Sequence, residues 1–130
     1  YTVLVEADDM NEPVADTVRG ILDGHIVLSR ALAHRNHYPA IDVLASVSRV
    51  MPQITDEEHR QAAAQVRKVL ANYTEAEDLI NIGAYQQGSN PDIDYALRYI
   101  GKVREFLQQG KMEGCPLEQT IQRMKALFTE

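Results

Sequence analysis

One cysteine, Cys115, stands in 130 residues, so no intrachain disulfide can form and the fold must rest on a hydrophobic core. With no staple to be oxidised, a reducing, cytoplasmic setting is expected. Basic residues are also short. Thirteen Lys and Arg face nineteen Asp and Glu, for a formal net charge of -6. Phosphate backbones need a basic surface, and this balance argues against nucleic acid as the main partner. No stretch approaches the roughly 18 uninterrupted apolar residues of a membrane-spanning helix. No initiating methionine, basic n-region or cleavage site precedes TVLVE at residues 2–6. A chain that opens almost directly on a strand-like run is expected to be a fragment of a longer one. What is present is ordinary for a soluble globular protein: 45% hydrophobic and 25% charged residues, enough for a core of useful size.

Two compositional zones follow. Residues 1–52 mix strand and helix signals. TVLVE reads as a buried strand, and an acidic turn, ADDMNEP, comes next. Val14, Val18, Ile21 and Leu22 then fall on one helical face, with Pro13 suited to the first turn and Gly24 to the exit. HIVL is a second strand candidate, and SRALAHRN is a helix that stops before Tyr38-Pro39, since a residue preceding proline avoids the α region. AIDVLASVS is a strand or an extended core segment, which periodicity alone does not separate.

From Gln53 onward every signal is helical. Thr55 and Glu58 form a capping box ahead of Ala62, Val66, Val69, Leu70 and Tyr73, which recur at helical spacing. Thr74 and Glu77 repeat the capping signature for a short helix ending at Gly83. Asn90-Pro91 starts another, with Ile93, Ala96, Leu97, Ile100 and Leu107 on its face. Pro116 opens a last helix that points Leu117, Ile121, Met124 and Phe128 inward. Residues 53–130 therefore read as a small helical domain.

Within the apolar run IDVLASVSRVM, Arg49 poses a question, because an unpaired buried charge costs many kcal/mol. Its partner is either a carboxylate of this chain, such as Asp42, or a group that another molecule supplies.

The ordered string VEADDMNEPVADTVRGILDGHIVLSR, followed by NHYPAIDVLASVSRVM, closely resembles the rotary-type ATPases, most nearly the flagellar and type III secretion export ATPases. It is similar, more distantly, to the catalytic β subunit of F-type ATP synthase. IGAYQQGSNPDIDYA stands where the β subunits carry an acidic helix-turn-helix motif, which favours the export branch. Ala7 departs from the pattern, which has glycine before the paired aspartates. The resemblance implies a mostly α chain with a small β contribution: residues 1–52 as the C-terminal end of a RecA-like α/β core, and residues 53–130 as a C-terminal helical-bundle domain. It further implies a parent that hydrolyses ATP with Mg²⁺ in a cytoplasmic homohexameric ring and helps export proteins. The expected partners are copies of itself, central-stalk and regulator proteins of the export apparatus, and chaperone–cargo complexes. A non-catalytic binding module, or a subunit of another rotary branch, is the alternative.

By the same resemblance Arg49 is an arginine finger reaching a neighbour's nucleotide, and Tyr38 and Phe106 are aromatic walls of an adenine pocket. Tyr38 beside a proline turn is equally at home in a core, and for Phe106, which completes a helix face, core packing is the preferred reading. The phosphate-cradling loop G-x-x-x-x-G-K-[ST] is missing. The fragment alone is therefore expected to be inactive. Asp8 and Asp9 suit a turn and helix start better than catalysis, and a loop of this kind faces the central channel in related rings. His34 and His37, three apart without further ligands, make a weak metal pair, so no metal site is expected.

Overall fold

The computed structural model describes residues 1–129. Residues 1–5 run without regular structure into a 3₁₀ turn at Glu6–Asp8. Helix α1 (Pro13–Ile21), strand β1 (Gly24–Leu28), helix α2 (Arg30–His34) and strand β2 (Ile41–Ser48) follow. A short helix α3 (Met51–Ile54) leads into α4 (Glu57–Asn81), α5 (Pro91–Leu107) and α6 (Leu117–Ala126). The mostly helical character and small β share expected from sequence are both present.

β1 and β2 pair antiparallel, Gly24 opposite Ser48 and Leu28 opposite Ile41. Gly24 does not serve as the exit of α1. A Cβ there would stand 2.9 Å from the Val47 carbonyl oxygen, so the residue is what lets the strands close. Between His25 and Val27 the register shifts, leaving residues 43–46 of β2 bulged out of the ladder.

TVLVE is not a strand. The only described sheet has two strands, which pair with each other, so this run finds no ladder; Leu4 stays 90% exposed. Isolated extended segments lack the cross-strand bonds that would hold them. The expected inner face of α1 is likewise open, with Val14, Ile21 and Leu22 exposed and only Ala15 buried.

The core belongs to the last three long helices. Val69 of α4 and Val103 of α5 are fully buried, with Ala62, Val66, Ala96, Tyr99, Ile100 and Met124 around them. Tyr99 and Phe128 pack with ring centroids 5.3 Å apart, closing α6 over the pair. α4 begins one residue later than the capping box implied: Asp56, not Thr55, is the cap, its carboxylate accepting from His59 N at 2.7 Å. The Thr55 hydroxyl donates instead to Met51 O. Thr74 and Glu77 start no new helix. No glycine or proline interrupts residues 57–81, so propagation carries α4 through them to Gly83, whose φ of 70° ends it. Asn90 caps α5 as expected, accepting from Asp92 N and Ile93 N. Leu117 does not point inward; at the first turn of α6 it is 73% exposed.

Candidate functional site

Arg49 follows β2 directly, and its placement begins with the bulge. Asp42 turns its carboxylate onto its own strand, Oδ1 accepting from Ala45 N at 3.0 Å. The Ser46 hydroxyl donates to Asp42 O at 2.6 Å and accepts from Val27 N at 2.9 Å. These local bonds replace the ladder where the register slips. Pairing resumes at Val47 and Ser48, and the Arg49 N–H donates to Asp23 O at 2.8 Å. The Ser48 hydroxyl then accepts from Met51 N, starting α3. The backbone on both sides of Arg49 is thus fixed.

Its side chain is not. Arg49 is exposed, and among the described residues its guanidinium has neither an ion-pair nor a hydrogen-bond partner. Asp42, the carboxylate within the same run, is engaged by Ala45 N and forms no ion pair with it. A permanently charged fork held on a rigid backbone can receive a planar, multiply charged anion from outside the chain.

The loop before β2 lies against the end of α5. Gln109 N donates to Tyr38 O at 3.0 Å, and Tyr38 is 52% exposed. Burial, and then the nearby Arg104 guanidinium, push the His37 imidazole below its usual value, because both disfavour a second positive charge. Arg104 itself lies over the Tyr73 ring at 4.6 Å. Phe106 points elsewhere. It packs against the helical core and, with Lys102, Glu105, Arg123, Ala126 and Leu127, lines a shallow groove of about 320 Å³ between α5 and α6. No ring contact joins Tyr38 to Phe106 among the described aromatic pairs.

The acidic loop is occupied by structural tasks. Asp9 Oδ1 accepts from Asn11 N, Glu12 Oε1 caps α1 through Ala15 N, and Asp8 pairs with Arg30 at 3.2 Å. Among the described residues no three His, Cys, Asp or Glu side chains gather at metal-binding distance. The Gly101-Lys102 pair sits inside α5, where a phosphate-cradling loop is geometrically impossible.

Sequence reasoning missed the residues that join the two zones. Arg67 of α4 donates to carbonyls of the bulge, Nη1 reaching Val43 O at 2.8 Å, and Arg35 pairs with Glu77 at 3.3 Å. The available signal was Arg67 itself, a cation set between the core positions Val66 and Val69.

These elements define a class: the last hairpin of an α/β core followed by a C-terminal helical unit. The T3SS EscN ATPase C-terminal domain model matches residues 55–126, and that of the ATP synthase alpha/beta family nucleotide-binding domain matches residues 1–48. The chain belongs to the EscN C-terminal domain family, whose match takes in more than half of it. It is 57% identical over its whole length to the SPI-2 type 3 secretion system ATPase of Salmonella typhimurium, covering 30% of that protein. Identity to the flagellum-specific ATP synthase of Bacillus subtilis is 54%, over 98% of this chain and 29% of the relative. Assembled EscN of enteropathogenic E. coli superposes with a TM-score of 0.92 at 45% identity, over 98% of this chain and 31% of EscN. The chain therefore spans about three tenths of the relatives it matches.

Proposed function

We propose that this chain is the C-terminal part of an export ATPase whose subunits assemble into a ring, and that Arg49 completes the nucleotide site of the neighbouring subunit. The observation that carries this is the exposed guanidinium, without a partner among the described residues, on a fixed backbone at the end of β2. As phosphoryl transfer proceeds, charge develops on the γ-phosphate oxygens, and a preorganised guanidinium stabilises it without reorganising. Arginines in this role contribute about 10³ to 10⁵ in rate, or roughly 4 to 7 kcal/mol of barrier. The residues that hold the other phosphates, Mg²⁺ and the attacking water lie outside this chain on this reading. Its sequence contains no phosphate loop, and among the described residues no three His, Cys, Asp or Glu side chains gather around a possible metal. Tyr38 offers an exposed side chain to an adenine, whereas the packing of Phe106, itself on α5, against the buried helical cluster supports a core role for that residue. EscN has been solved in complex with its central stalk EscO, and we extend that partnership to this chain's parent, with the loop around Glu6–Asp8 as the stalk-facing element.

The test is turnover by the full-length enzyme. Arg49→Ala should lower kcat a hundredfold or more with KM for ATP within a fewfold, because the contact is made in the transition state. Mixed rings in which an intact neighbour supplies the arginine should recover activity at that interface. Normal turnover by Arg49→Ala would return Arg49 to a surface role.

A further inference from the structure

A bulged strand exposes carbonyl groups that its ladder no longer pairs, and each needs a donor or water. In β2 these belong to residues 43–46, between the paired stretches at Asp42 and Val47. One side chain from another element takes three of them. The Arg67 guanidinium of α4 places Nη1 2.8 Å from Val43 O and 3.4 Å from Ser46 O, and Nη2 3.4 Å from Leu44 O. A planar fork of N–H donors is suited to a splayed set of carbonyls, where an ammonium offers only a point charge. Arg67 adds nothing to the helical core: it is exposed, while Val66 and Val69 on either side are buried in it. The strapped segment leads, three residues past Ser46, to Arg49.

We propose that Arg67 is a positioning residue for Arg49, fixing the bulge to α4 so that the set of the helical unit against the core decides where the Arg49 guanidinium is presented. The inference rests on reading Arg49 as the residue that reaches a neighbour's nucleotide. It makes α4 the mechanical link between the helical unit and the chemistry at the ring interface.

The test uses the full-length enzyme with Arg67→Gln, Arg67→Lys, Arg49→Ala and the Arg49→Ala/Arg67→Gln pair. Arg67→Gln should lower kcat at least tenfold with KM for ATP within a fewfold. Arg67→Lys should recover part of the loss, since it keeps the charge but cannot span three carbonyls. The double variant should be no slower than Arg49→Ala alone, because a residue acting through Arg49 has nothing left to position. In Arg67→Gln, hydrogen exchange should quicken at the Val27 and Arg49 amides and stay slow along α5. Turnover within twofold of the unaltered enzyme, an additional loss in the double variant, or loss of α5 protection would each overturn the role of Arg67. Normal turnover by Arg49→Ala alone would instead overturn the reading beneath it.

Discussion

Ala7 holds a φ of 53°, a left-handed conformation, at the position where related export ATPases are expected to carry glycine. For a residue with a Cβ that conformation costs about 1–2 kcal/mol, while glycine would lose about 0.5–1 kcal/mol in conformational entropy on folding. The balance favours Ala7→Gly by about 0.5–1 kcal/mol. We expect it to slow exchange of the Asp9 and Glu12 amides, which donate to Glu6 O and Asp9 O and so report this turn. Gly24 answers to a different constraint, the nearby Val47 carbonyl. Gly24→Ala should therefore part the strands beside Arg49 and speed exchange of the Arg49 amide, even though alanine suits the local φ. His37 gives the molecule a pH dependence of known sign. Burial and then Arg104 lower its folded-state pKa, so as pH falls below about 6.5 the unfolded chain takes up a proton that the folded chain refuses. The stabilisation is complete above that pH and is lost as pH drops toward the folded-state value. His37→Gln should flatten the unfolding curve in this window when urea midpoints are compared between pH 7.5 and 5.5.

At the scale of elements, what could be read from the sequence followed from chemistry that is local. Asn90-Pro91 caps α5, β1 and α2 fall where HIVL and SRALAHRN placed them, and the apolar face of α4 is the buried one. Errors came where a local signal competed with a longer-range one. Thr55 and Asp56 both qualify as caps, and the entry from α3 decided for Asp56 by drawing the Thr55 hydroxyl to Met51 O. Asp56→Ala should therefore speed exchange of the His59 amide, and Thr55→Ala should leave it protected. Thr74 was an equally good cap signal, but nothing upstream of it interrupts α4, and extending a helix costs less than nucleating one. The candidate site was legible only as a position in the chain. SVSRV pointed to Arg49 through resemblance, and the structure adds its exposure and fixed backbone. The Arg67 strap was not legible, because its hydrogen bonds join residues more than twenty positions apart and obey no period. The bulge was not legible either, because it exists only where the β1–β2 register slips. Of the two partners left open for Arg49, Asp42 is engaged instead by Ala45 N, a bond that only the bulge makes possible.

Across the whole molecule burial is uneven. Ala15 is the only buried residue of positions 1–52, while the cluster around Val69 and Val103 draws together α4, α5 and α6. Ion pairs between the helices, such as Lys125–Glu58 at 2.9 Å, lie at the surface and add little by comparison. The exposed Leu4, Val14, Ile21, Ile26 and Leu28 present uncovered apolar surface on the first zone. Side chains fully removed from water contribute roughly 1.5–3 kcal/mol each, so most of the hydrophobic stabilisation is concentrated in the last three helices. Val103→Ala, which deletes two methyl groups from the most buried point, should cost about 2 kcal/mol. That loss should appear as faster exchange throughout α4 and α5. In the unaltered chain, amides of those helices should exchange far more slowly than those of β1 and β2, which are joined as only a two-stranded sheet. An exposed apolar sheet also invites pairing with another copy, so raising the protein concentration should slow exchange in β1 and leave α5 unchanged. Equal protection of β1 and α5 in a dilute, strictly monomeric sample would mean that the hairpin draws stability from the helical unit through the Arg67 and Arg35–Glu77 links, and that the two zones unfold as one.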